Sequence, residues 1–396
     1  MEKQFLLPAN ILLPKKDAHL WSVIACDQYT SEPEYWEKVK ETVGCAPSAL
    51  NIILPEAYLS DDDSEKIKKI NQTMNDYLSD NVFKTIENSI IYTQRTLKNG
   101  KVRKGLVGLI DLEDYSYKKG AKTATRATEE TVLERIPPRV EIRKDAVLEI
   151  PHIMMLIDDP QNTVFGCVEA TGALEKVYDF TLMQNAGSII GYSLPSDYIT
   201  NVQNALLELS KNSADGLVYA VGDGNHSLAT AKECYKMGKG SRYALVEVVN
   251  IHDNSLEFEP IYRVLFGADA KSVMADFVAW CGGEYFGEDA QKFTCVYGEI
   301  EKEISVKGKG TLCVATLQTF LDGYIREKGI TIDYIHGTDS VRQLCKNENT
   351  LGFIFEGMGK SDLFKAVSQD GSLPRKTFSM GCADDKRFYL EARIIK

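Results

Sequence analysis

The stretch Val218-Tyr219-Ala220-Val221-Gly222-Asp223-Gly224-Asn225-His226-Ser227-Leu228-Ala229-Thr230-Ala231 changes its hydrophobic period midway. Residues 218–221 are a short apolar run, as a buried strand requires. From Leu228 onward Leu228, Ala231 and Tyr235 recur at the spacing of one helix face, and Gly238 ends the run. The polar segment 222–227, with two glycines, lies between them. The reading is strand, turn, helix over 218–237, with Ser227 as N-cap and Asn225 or Asp223 in that role if the boundary shifts.

A helix that starts here presents amides with no partner inside the helix. Its dipole favours an anion by roughly 0.3–1 kcal/mol, up to about 2 when partly buried. The glycines let a ligand approach the backbone closely. Such an end suits a phosphate, which makes Gly224, Asn225, His226 and Ser227 candidate ligands. His226 can donate to a phosphate oxygen or shuttle a proton. Asp223 would repel a bare phosphate, so its candidate roles are to orient His226, bind Mg²⁺ or accept a substrate proton. Helix caps use these same residue types, so an ordinary cap beside a surface histidine is the competing reading. The stretch is neither a Walker A loop nor a dinucleotide fingerprint.

Outward from this turn, helices are expected at 33–43, with Pro33 in the first turn, at 64–77 and at 202–209. Strands are expected at 89–97, 105–112, 152–157 and 243–249, then 330–335, 352–355 and 388–395. Lys98-Asn99-Gly100-Lys101 reads as a hairpin turn, because Asn-Gly supplies positive φ. Residues 121–143 are polar and contain Pro137-Pro138, so a surface loop is expected, functional or merely connecting. Within it, Asp27's counterpart as a spare acid is Glu129; Asp27 itself reads as a cap before the 33–43 helix. Helices and strands mix without regular βαβ alternation, which predicts an α+β fold, a mixed sheet with flanking helices. The expected division is a main domain at 1–267, a small α/β lobe at 268–330 and a C-terminal segment, 331–396, returning to the main domain.

The chain has 396 residues, 44% hydrophobic and 26% charged, enough for a large core without metals or disulfides. A net charge of −11 argues against broad nucleic-acid binding, which needs a basic surface. Nine cysteines are scattered without a CxxC pair, so neither a disulfide framework nor a zinc site is read, and a reducing compartment fits. No apolar stretch approaches the roughly 18 residues of a membrane span, and residues 1–13 lack a signal-peptide pattern. The expectation is a cytoplasmic protein with a small-molecule substrate and no nucleic-acid or membrane partner; a homo-oligomer is compatible with it.

Residues 223–232 resemble the Asp-Gly-His-His-Arg-type motif of the family catalogued as "domain of unknown function 1015". Thr128-Glu129-Glu130-Thr131 is similar to that family's His-Glu-x-Thr box, with Thr128 in place of histidine. Arg139 follows Pro138 where the family has Asp-Arg, and Pro260-Ile261-Tyr262-Arg263 resembles its Pro-x-His-Arg segment. Residues 373–381, with Arg375 and Lys376, resemble its C-terminal block. The glycine-histidine motif is in turn similar to the phosphate box of the ParB/sulfiredoxin-like superfamily, which includes kinases acting on free serine. That likeness implies a ParB/sulfiredoxin-like core, a bound nucleotide (ATP or ADP) with Mg²⁺, and a phosphotransferase acting on a small hydroxylated metabolite, free serine first. The box usually carries arginine where this chain has Ser227, so positive charge must come from Arg263, Arg375, Lys376, Arg139 or Arg126. Glu129 or Asp223 would be the catalytic base, and His226 and Lys376 would hold phosphates. Asn225 stands where sulfiredoxin chemistry needs cysteine. A non-catalytic nucleotide sensor and a metal-assisted phosphohydrolase using Asp223, His226 and Glu129 are the rival readings.

Overall fold

The computed structural model describes residues 3–170, 172 and 174–396. It is a mixed α+β structure in two compact units. One comprises 1–127, 131–256 and 381–396; the other comprises 128–130 and 257–380. The cuts differ from those expected. The small lobe predicted at 268–330 is part of a longer unit that starts at Glu257, and only the last 16 residues, 381–396, return to the first unit. The extension arises because the strand Phe258–Phe266 pairs with Thr331–His336 and Thr350–Phe355, so both flanks of the lobe belong to one sheet.

The first unit is built on a mixed sheet. Glu175–Thr181, Ser188–Ser193, Ile91–Thr96, Val102–Asp111 and Tyr243–Asn250 run as antiparallel neighbours. Met154–Ile157 then joins Tyr243–Asn250 in parallel, Tyr219–Asp223 joins antiparallel, and Thr125–Ala127 joins Tyr219–Asp223 in parallel. Alternation along the central strands sends side chains to two cores. Leu245, Val107 and Ile91 enter one; Ala244, Val246, Val248 and Leu106 enter the other. The helices Pro33–Val43 and Ser64–Ser79 contribute to the first core, and Ser196–Asn212 and Asn225–Lys236 to the second. The hairpin at 98–101 is present, with Gly100 at φ 81° and Thr96 paired with Val102.

The segment 121–143 departs from the surface-loop expectation. Its polar run contains a buried strand, Thr125–Ala127, because hydrogen bonding to Tyr219–Asp223 on one side and to Tyr115–Ser116 on the other satisfies its backbone. Pro137 and Pro138 open the helix Ile136–Arg143 instead of breaking the chain, since a helix's first turn needs no amide donors.

The second unit is antiparallel throughout its main sheet, in the order Ile300–Lys307, Ala290–Tyr297, Thr350–Phe355, Phe258–Phe266, Thr331–His336. Phe277 of the helix Ala270–Trp280 lies 5.2 Å from Phe293 and from Phe320, tying helices to the sheet through aromatic packing. Among the described residues no helix is long and apolar enough to cross a membrane.

Candidate functional site

The strand–turn–helix of the first unit is present, with its boundaries moved. The strand is Tyr219–Asp223 and the helix is Asn225–Lys236, so Asp223 ends the strand and Gly224 alone makes the turn. Gly224 is the N-cap, with φ 80° and ψ 25°. Ser227, expected as N-cap, instead lies in the first helical turn. A left-handed glycine reverses the chain in one residue, so no longer polar turn is needed. No side chain caps the helix, leaving the amides at its start open to a ligand.

Around that helix start the side chains are incompletely partnered. Among the described residues Asn225 Oδ1, which is buried, has no hydrogen-bond partner. Asp223 Oδ1 accepts from the Gly224 amide at 2.9 Å, while its buried Oδ2 has Lys386 Nζ at 3.4 Å and no hydrogen bond. Buried polar atoms are normally satisfied, so such a pair at an open helix end is a feature that a bound group would complete. Lys386 is a cation that the structure brings to this turn. It had no local signal: it precedes the short strand Phe388–Tyr389, 163 positions beyond Asp223, and only the return of residues 381–396 brings it here.

His226 Nε2 accepts from the Val132 amide at 3.3 Å. Burial, with Arg139 and Arg135 nearby, pushes its pKa down to about 4. The ring is therefore neutral near pH 7, with its proton on Nδ1. It can donate one hydrogen bond to a ligand, and it contributes no positive charge.

A second histidine joins the site. Ser227 Oγ lies 3.2 Å from His152 Nε2, and His152 Nδ1 lies 2.7 Å from the Tyr389 hydroxyl. The Cys26 amide donates to that hydroxyl at 3.3 Å. Burial, with Cys26 next, holds the Tyr389 phenol well above its ordinary range, so its proton stays and is best given to Nδ1. Nε2 then carries the ring's proton and points it at Ser227 Oγ. Nε2 carries a proton in this tautomer and in the imidazolium alike, so His152 is a donor towards Ser227 and does not withdraw its proton, which argues against a serine-nucleophile dyad. Asp27 Oδ2 is 3.9 Å from the same Nε2, and Asp27 Oδ1 accepts from Gln28. Burial would raise the Asp27 carboxyl, but His152, Gln28 and Lys386 together hold it below its ordinary value. Asp27, read from sequence as a cap, makes no cap bond to the helix Pro33–Val43 and belongs to this cluster. Cys26 is no nucleophile: burial, reinforced by Asp27, pushes its thiol up to about 12.

The expected arginines are largely committed elsewhere. Arg126 is buried and pairs with Asp215 at 2.6 Å, anchoring the strand Thr125–Ala127. Arg139 binds Glu56 and the Arg135 carbonyl. In the second unit Arg263 is fully buried. Its guanidinium donates to Gln318 Oε1 at 2.7 Å, to the Ile261 carbonyl at 2.5 Å and to the Lys376 carbonyl at 3.0 Å, so it braces its own unit. Arg375 and Lys376 are exposed there, and Glu129 pairs along its backbone with Leu373. Among the described residues no group of three or more His, Cys, Asp or Glu is arranged to hold a metal, so Asp223 has no preformed set of co-ligands for Mg²⁺.

Among solved structures, the chain is similar to a free serine kinase in complex with AMP, at 13% identity, covering 73% of this chain and 92% of that one, with a TM-score of 0.40. It is also similar to a conserved hypothetical protein from Pyrococcus furiosus (14% identity, 75% and 96% covered, TM-score 0.38). A third is a C-terminally truncated SbnI from Staphylococcus aureus (12% identity, 71% and 86% covered, TM-score 0.37). No curated protein matches the chain. A family model described as "Protein of unknown function (DUF1015)" matches residues 6–390, and the chain belongs to that family.

Proposed function

We propose that the protein is a nucleotide-dependent phosphotransferase that acts on a small hydroxylated metabolite. The observation that carries this reading is the uncapped start of the helix Asn225–Lys236, with the unpartnered Asn225 Oδ1, the Asp223 carboxylate and Lys386 gathered at it. Phosphoryl transfer asks mainly for positioning and charge neutralisation, plus a carboxylate to take the hydroxyl proton. The amides of 225–227, the His226 Nδ1–H and Lys386 would hold the phosphates of ATP or ADP. The acceptor oxygen attacks the terminal phosphorus, the bond to the nucleotide's bridging oxygen breaks, and the hydroxyl proton passes to a carboxylate. Asp223 is the candidate base in this unit. Mg²⁺ would enter with the nucleotide, held chiefly by its phosphates with Asp223 as protein ligand, as that ion commonly is.

Phosphorus NMR on the protein with ATP or ADP, Mg²⁺ and a pool of amino acids and hydroxy acids, serine included, tests this. A new phosphomonoester is expected. Asp223→Asn lowers kcat by about 10²–10⁴-fold. Nucleotide-dependent thermal stabilisation without turnover would instead identify a sensor. His226→Ala is expected to weaken nucleotide binding; unchanged affinity would refute the phosphate cradle.

A further inference from the structure

A cavity of about 160 Å³ opens within the first unit beside the helix start. Ser227 and His152, the hydrogen-bonded pair described above, line it. The rest of its wall is mostly apolar: Ile52, Met74, Ile142, Ala146, Leu148 and Tyr389. Its charged side chains are held in ion pairs. Arg139 is paired with Glu56, and Arg143 with Glu149, which also takes Arg393 Nε at 2.5 Å. Thr230, another lining residue, gives its hydroxyl proton to the His226 carbonyl at 2.8 Å. Most of the wall is thus apolar, its charged groups are engaged with one another, and the Ser227–His152 edge is where polar atoms face it.

Size narrows the occupant. An apolar cavity of about 150 Å³ holds one benzene ring. The side chain of free serine is a single hydroxymethyl group and would leave nearly all of this space empty. Building on the phosphotransferase reading, we infer that the cavity is the acceptor subsite, and that the acceptor carries an uncharged apolar group of about four to seven carbons, branched or aromatic, next to its hydroxyl. Ser227 and His152 meet the polar end of the acceptor, and Ile142 and Ala146 select its apolar end.

The test uses the full chain with benzene and with three hydroxy acids of one head group, lactate, 2-hydroxyisocaproate and phenyllactate. Benzene is expected to raise the thermal midpoint of the wild type and to leave that of Ala146→Phe unchanged, since the new ring fills the cavity. Ile142→Phe provides the same reading should Ala146→Phe fold poorly. With ATP or ADP and Mg²⁺, kcat/KM is expected to rise at least tenfold from lactate to either larger acid, and both filling variants should erase that gain while leaving nucleotide affinity unchanged. Turnover of serine and lactate as efficient as that of the larger acids would overturn the inference and leave the phosphotransferase reading standing. Benzene binding abolished by the filling variants, with no phosphomonoester from any acceptor, would support the apolar site and sink the phosphotransferase reading. Absence of any benzene effect in a nucleotide-stabilised wild type would overturn the subsite.

Discussion

At the scale of single residues, the site turns on which groups carry charge. His226 is neutral in the folded protein because burial, Arg139 and Arg135 push its pKa down to about 4, against about 6.5 in an unfolded chain. Between those values the unfolded state binds more protons, so stability rises with pH across that window. Stability from this residue is fully present above about pH 6.5 and drains away as pH falls toward 4. Thermal melts from pH 7 to pH 4 should show a decline that His226→Gln makes shallower; an identical decline in the variant would mean that the ring is not held neutral. The candidate roles at 223–227 were legible in sequence as residue types at a helix start. Their partners were not, because Lys386, His152 and Asp27 come from three distant stretches of chain. Arg126 and Arg263 illustrate the opposite error: an arginine in a motif looks available until its burial and its bonds to Asp215, or to Gln318 and two backbone carbonyls, are seen.

At the scale of elements, Gly224 determines where the helix begins. It sits at φ 80°, and a Cβ there would come within 3.0 Å of Ile153 Cγ1 and 3.1 Å of Ile153 Cα. Left-handed backbone costs a residue with a Cβ about 1–2 kcal/mol, to which this crowding adds. Gly224→Ala should therefore lower stability by at least about 1 kcal/mol in urea titration. Gly166, inside the helix Thr163–Glu169, has nothing within 4 Å of an added Cβ. Gly166→Ala should raise stability by roughly 0.5–1 kcal/mol, and equal effects at the two sites would contradict this account. Period and turn chemistry located most elements correctly, such as Pro33–Val43 and the hairpin after Thr96. They failed at 121–143, where a short inner strand draws its stability from a neighbour nearly 100 positions away.

At the scale of the whole molecule, residues 381–396 complete the first unit through a buried ionic network. Arg387 pairs with Glu247 at 2.8 Å and Glu391 at 2.5 Å, all three nearly inaccessible. Thr93 donates to Glu247 and Tyr178 to Glu391. Burial would raise the Glu247 carboxyl, but Arg387 and Arg103 hold it below its ordinary value. Arg387→Met would strand two buried carboxylates and should cost about 3–5 kcal/mol, a loss that high salt leaves largely unchanged. A cost under about 1 kcal/mol, typical of exposed pairs, would show the network to be solvated.

The sequence by itself determined the fold class, the family and the position of the candidate phosphate-binding turn, because hydrophobic period, glycine placement and motif order are local properties of the chain. Only the tertiary structure decided which cation and which second histidine lie beside that turn, which arginines are held in internal bonds, and that an apolar cavity adjoins it. Those depend on burial and on partners far apart in sequence, and neither is written in any one stretch. The helix start at 223–227 was therefore recognisable in advance, whereas its setting, Asp27, His152, Lys386 and Tyr389, was not.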